Sequence, residues 1–182
     1  KTNDAYAIAK IAGIKMCESY NIQYKTNYKC LMPTNTFGPN DNYDTLNSHF
    51  LPALIKKVHD LKLNNKKELI LWGNGLAKRE VIFVDDIADA CIFFMKKNFF
   101  GTILNIGTGK DFLIKQYAKI ILNKIIPKNK IKIKYDLSKP NGTLRKVLDI
   151  KLANKYGWKP KTKLDEAITK TYKNFLENNK IV

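Results

Sequence analysis

Tyr6 and Lys10 stand four residues apart in Asp4-Ala-Tyr6-Ala-Ile-Ala-Lys10. On a helix that spacing places phenol and ammonium on one face. A nearby ammonium favours the phenolate and so eases transfer of the phenol proton to a carbonyl oxygen. Spacing alone is a weak signal in a chain with 9 Tyr and 33 basic residues, and Tyr135–Lys139 repeats it in a strand-like run that ends at Pro140. Gly107-Thr-Gly109, after a strand-like segment, lacks the third glycine and the following acid of a dinucleotide loop, and it reads as a structural turn. Cys17, Cys30 and Cys91 are too few and too scattered for a metal site or a disulfide framework.

The elements that must position these residues alternate between helix and strand. Residues 4–20 read as a helix, with Asp4 as a cap and Ala5, Ile8, Ala9, Ala12, Met16 and Cys17 as its apolar face. Residues 25–32 read as a strand, followed by a loop at Pro33-Thr-Asn-Thr-Phe-Gly38-Pro39. Helix, strand and polar loop in this order form the back half of a parallel-sheet crossover, and ligands bind at such strand ends.

Asn47-Ser48-His49 is placed to cap a helix over 50–63, with Leu51, Leu54, Ile55 and Val58 inward and Pro52 in its first turn. His59, beside Asp60 in mid-helix, reads as structural. Strands are expected at 68–72 and 78–84 around a Gly73-Asn-Gly75 turn, where Trp72 has the apolar neighbours of a core residue. A helix capped by Asp85-Asp86 would turn Ile87, Cys91, Phe94 and Met95 inward. A strand at 102–106, a helix at 113–126, a strand at 131–135, a basic loop at 139–146 and helices near 151–156 and 164–177 complete the pattern.

At 182 residues and 45% hydrophobic content, the chain can build a substantial core. It shows neither a membrane-spanning run nor a signal peptide, and a reducing, cytoplasmic setting is expected. The formal charge is +17, yet only Arg79 and Arg145 supply the guanidinium fork used by readers of nucleic acid. The lysines are spread over every segment, so the expectation is no nucleic-acid partner and a welcome for an anionic ligand. The first residue is not Met and the chain opens in mid-helix, so it reads as the back part of a longer protein.

Several stretches together resemble the extended short-chain dehydrogenase/reductase superfamily and, within it, the GDP-L-fucose synthase family. They are Tyr6-Ala-Ile-Ala-Lys10, Pro33 to Pro39, Asn42 to Ala53, Leu71 to Gly75, Arg79-Glu80 with Val84-Asp-Asp86, Asn105-Ile-Gly-Thr-Gly109, and Ser138 to Lys146. The Asn-Ser-His-x-x-Pro-Ala run and the Ser-Lys-Pro-Asn-Gly-Thr-x-Arg-Lys loop are the specific ones.

The resemblance implies an α/β fold: the C-terminal part of a Rossmann-type doubly wound parallel sheet (1–40 and 78–110) plus a smaller substrate-binding lobe (41–77 and 111–182). It implies conversion of GDP-4-keto-6-deoxy-D-mannose to GDP-L-fucose, by inversion at C3 and C5 and then reduction at C4 with NADP(H). Tyr6 would protonate the C4 oxygen, Lys10 would assist it and hold the nicotinamide ribose, and His49 would be the acid of the epimerisation, where a near-neutral pKa is suited. Pro33, Thr34, Asn35, Thr36 and His49 would border the cofactor together with Tyr6 and Lys10. Lys57, Trp72, Arg79, Asn141 and Lys146 would contact the GDP-sugar, with Asn141 where the family commonly has Asp and Lys57 a point charge where arginine offers a fork.

The resemblance places the phosphate-binding glycine loop, a catalytic serine and the epimerase cysteine ahead of Tyr6, so this chain by itself is expected to be inactive. It also implies a homodimer packed through the tyrosine helix, whose Ala5, Ala7, Ala9, Ala12 and Gly13 would let another helix approach closely. Another nucleotide-sugar epimerase or dehydratase of the superfamily is the alternative.

Overall fold

The computed structural model describes residues 4–44, 47–99, 101–128 and 130–178, so Lys1–Asn3 and residues 45–46 of the Asn42–Ala53 motif lie outside it. In chain order the elements are α1 (Asp4–Tyr24), β1 (Cys30–Pro33), β2 (Asn35–Phe37), α2 (Phe50–Leu63), β3 (Glu68–Trp72), β4 (Lys78–Phe83) and α3 (Val84–Lys96). There follow β5 (Ile103–Ile106), β6 (Asp111–Leu113), α4 (Ile114–Ile125), β7 (Lys132–Asp136), β8 (Arg145–Lys146), α5 (Lys151–Lys155) and α6 (Leu164–Asn178).

The pairing is mostly parallel, as the alternation of helix and strand requires. β1 pairs with β5, β2 with β4, and β3 with β7, all parallel. β4 also takes β6 antiparallel and β8 parallel. The segment expected to be a loop after β1 is a strand that changes partner. Thr34 still donates its N–H to Ile106 O at 3.0 Å, beyond which Asn35–Phe37 run along Val81–Phe83. The expected strand at 25–32 is confined to its end, because Lys25 has a φ of 54°, outside the extended region.

Two apolar clusters form the core, and β4 feeds both. Val81 and Phe83 enter one cluster with Leu51, Ile55 and Val58 of α2, Leu69 and Leu71 of β3, and Tyr117 and Ile121 of α4. Ile82, on the opposite face, enters the other with Phe94 of α3, Leu104 and Ile106 of β5, and Trp158. This is the period-two alternation of a strand buried on both faces.

The α2 stripe inferred from the sequence is buried as expected. Helix α1 differs. Its apolar residues spread around its whole circumference and none is buried, and of the face expected at Ala5 to Cys17 only Cys17 is partly covered. On α3, Ala90 and Phe94 turn inward, whereas Cys91 is exposed and Met95 is 85% exposed. Asp86 lies in the first turn of α3 and accepts the N–H groups of Lys161 and Thr162, tying the segment before α6 to α3.

Candidate functional site

The residues expected to do chemistry or border the cofactor, all but Lys10, meet at one cleft of about 830 Å³, lined by Tyr6, Pro33–Thr36, His49 and Lys146–Leu148. Tyr6 is 65% exposed, and the Lys10 ammonium lies 5.4 Å from its ring centroid, as the i, i+4 spacing demands. Pro33 closes β1 at the carboxyl end of a parallel pair, and Thr34 to Thr36 continue from it. The Thr34 hydroxyl and the Asn35 amide both donate to Glu80 O, at 3.3 and 2.8 Å, so both side chains are set by β4.

His49 is the residue before α2, at φ −64° and ψ 157°, and its side chain makes no capping bond. The expected cap is therefore carried by backbone alone, and His49 lines the cleft. His59 goes the other way. It is buried, its Nδ1 is 2.9 Å from the Tyr172 hydroxyl, and its ring meets Phe175 edge-on at 5.0 Å. Burial pushes its pKa below the ordinary histidine value.

A second cleft, of about 250 Å³, is lined by Ser48, Lys57, Trp72, Arg79 and Asn141 among others. The two clefts meet at Ser48–His49 and again where Arg79 pairs with Lys146 across β4 and β8. Trp72 is 47% exposed, not the core residue its neighbours suggest, because alternation along β3 sends Leu69 and Leu71 inward and Ile70 and Trp72 outward. The Lys57 and Lys139 ammonium groups lie 5.1 and 5.6 Å from the Trp72 ring. Each such contact contributes about 0.5–1 kcal/mol at an exposed site.

The charged residues lining both clefts are Lys57, Arg79 and Lys146, all cationic. Burial lowers the pKa of Lys57 and of Arg79, so each cation stands where an anionic partner would relieve its desolvation. Arg79 donates to Lys78 O at 2.7 Å and to Thr143 O at 2.5 Å, which fixes the basic loop over the cleft. The Asn141 side-chain oxygen accepts the Asn74 N–H at 2.7 Å. It closes against Gly73, whose φ of 67° and lack of a Cβ permit the approach. That acceptor role is one an aspartate could also fill.

The sequence reading passed over Glu80 as a functional position. It is fully buried, and its Oε1 accepts the N–H groups of Thr108 and Gly109 at 2.5 and 2.6 Å. The Gly107-Thr-Gly109 turn thus wraps a carboxylate of this chain. The available signal was an acid immediately before the apolar run Val81-Ile-Phe83, together with glycines able to approach it.

Residues 1–107 match the NAD dependent epimerase/dehydratase family. Across 97% of its length the chain is 42% identical to GDP-L-fucose synthase 1 of Arabidopsis thaliana and covers 54% of that protein. It therefore spans about half the length of the curated relatives it matches. Among solved structures, a GDP-6-OMe-4-keto-L-xylo-heptose reductase from C. jejuni superposes with a TM-score of 0.84 at 33% identity, over 97% of this chain and 62% of the other. A GDP-L-fucose synthetase from Naegleria fowleri bound to NADP superposes with a TM-score of 0.86 at 25% identity, over 98% of this chain and 57% of the other. Both neighbours have the mixed parallel α/β architecture described above.

Proposed function

The chain belongs to the NAD dependent epimerase/dehydratase family, and on that premise we propose that it supplies the C-terminal part of a GDP-L-fucose synthase. Its share of the site is the acid–base residues, the nicotinamide border and the pocket for the GDP-sugar. Residues 1–40 and 78–110 would continue the dinucleotide-binding domain, with 41–77 and 111–182 forming the substrate lobe. The observation that carries the reading is the convergence of motifs separated by up to 140 positions on two joined clefts whose charged residues are all cations.

The residues present fit the nicotinamide end of NADP(H). A proline-terminated parallel strand opens onto the cleft there, Thr34 and Asn35 are anchored by β4, and Lys10 stands beside Tyr6. When bound, the cofactor would supply hydride to C4 of the sugar. Tyr6 would donate its phenolic proton to the C4 oxygen, completing an alcohol, while the Lys10 charge stabilises the phenolate left behind. Before that step the C3 and C5 protons, acidic because both carbons flank the C4 ketone, would be removed from one face and His49 would return protons from the other. Lys57, Arg79 and Lys146 would hold the diphosphate and Trp72 would pack against the nucleotide. The Asn141 NH₂ group stays available to a ribose hydroxyl. A homodimer packed through α1 would cover the small residues there.

The test is turnover of GDP-4-keto-6-deoxy-mannose with NADPH by the full-length protein carrying this chain, beside the chain alone. GDP-L-fucose from the longer protein and none from the chain is the expected result. The likeness to the heptose reductase supports a second reading, a C4 reductase of another GDP-4-keto sugar. That reading predicts a reduced product with C3 and C5 uninverted, or NADPH oxidation only with a different keto sugar.

A further inference from the structure

We propose that Glu80 is a positioning residue whose buried carboxylate sets the two walls of the reaction cleft against each other. Its backbone carbonyl holds Thr34 and Asn35 on the first wall. Its Oε2 accepts the Leu148 N–H at 2.8 Å on the second wall, two residues beyond Lys146. Its Oε1 takes the Thr108 and Gly109 N–H groups and, at 3.2 Å, the Thr108 hydroxyl, which anchors the carboxylate to the end of β5. Among the described residues no cation pairs with this fully buried acid, so its two oxygens are satisfied by three backbone N–H groups and the Thr108 hydroxyl. A Cβ at Gly107 would lie 2.4 Å from Oε1, so the turn is shaped to the carboxylate.

A carboxylate is required because Oε1 and Oε2 both accept from backbone N–H groups. Glutamine, the isostere, would set its NH₂ against one of those donors whichever way it faced. The wall at Leu148 or the turn at Thr108 would then part from β4, and the distance between the nicotinamide side and the sugar side would change. Hydride transfer depends on that distance. Proton exchange at C3 and C5 takes place on the sugar alone and depends on it far less.

This inference rests on the reductase reading of the same cleft, and its test separates the two. In the full-length protein, wild type and Glu80→Gln are compared in two measurements on GDP-4-keto-6-deoxy-mannose. One is solvent deuterium uptake at C3 and C5 without NADPH, and the other is NADPH oxidation. Glu80→Gln is expected to lower reduction relative to exchange by about ten- to a hundredfold, the scale set by an ångström of misplacement. Leu148→Pro deletes the one donor to Oε2 among the described residues and keeps the carboxylate, so it is expected to shift the ratio in the same direction by less. A loss of fold would lower both steps in proportion to the native fraction and leave the ratio unchanged. An unchanged ratio in both variants, with an active wild type, overturns the role of Glu80 alone. A wild type inactive in both measurements overturns the functional reading, and this inference with it.

Discussion

Helix α1 spans 21 residues, among them Tyr6, Ile8, Ile11, Met16, Tyr20 and Ile22, and buries none of them. Helix α2 spans 14 residues and buries seven, with Ile55 and Val58 fully enclosed. The difference lies in the arrangement of apolar residues more than in their number. Those of α2 recur on one stripe, which β3 and α4 cover, while Lys56, Lys57 and Asp60 stay at the edge. Those of α1 surround the axis, the pattern of a helix made to be covered on more than one side. Helix α1 lines the larger cleft through Tyr6 and α2 lines the smaller one through Lys57, yet α2 is held by this chain's own core and α1 presents Tyr6 and Lys10 with no core behind them.

Removing the phenol tests the α1 side most sharply. Tyr6→Phe in the full-length protein is expected to lower the rate of reduction by about 10²–10⁴-fold, the usual worth of a positioned proton donor. Its thermal midpoint and its affinity for the GDP-sugar should stay near wild-type values, since the substitution keeps the ring and removes only the hydroxyl. A rate within a few-fold of wild type would remove Tyr6 from the chemistry.

Stability should divide the other way. Ile55→Ala in α2 is expected to cost about 2–5 kcal/mol, as for other enclosed Ile positions. Ile11→Ala in α1, 56% exposed, should stay within about 0.5 kcal/mol. Urea titration of the chain measures both. Equal costs would show that α1 carries a core of its own and would break the contrast.

The smallest effect concerns pH and the underside of α2. Burial depresses the His59 pKa, so the folded protein keeps the imidazole neutral while the unfolded chain takes up a proton below about 6.5. The unfolded state then binds more protons as pH falls, and stability declines from that point downward while remaining full above it. Lys56 and Lys62 reinforce the shift and Asp60 opposes it. The thermal midpoint of the wild type should therefore fall more steeply between pH about 7 and about 5 than that of His59→Leu. Parallel curves would show that His59 is protonated in the native state.

The helices, the parallel strands and the structural place of His59 were legible in the residues, because periodicity and neighbouring polarity are local properties. Strand β3 and the inward residues of α2 fall where their patterns place them. Three features were not legible. Phe37 reads as part of a loop until β4 offers its edge. Trp72 reads equally as core or as a ligand contact until the register of β3 turns it outward, and Cys91 and Met95 read as inward until α3 meets the sheet at Ala90 and Phe94.

What the sequence determined by itself was the set of chemically able groups and the elements that carry them, since residue type and short-range spacing are written in the chain. Tertiary structure alone decided which groups share a cleft and what the buried acid on β4 does. Arg79 meets Lys146, and Glu80 meets Thr108 and Leu148, through pairings that span 28 to 68 positions. Pairings over such distances leave no local pattern, because they are selected by strand register and by the need of each buried polar group for a partner.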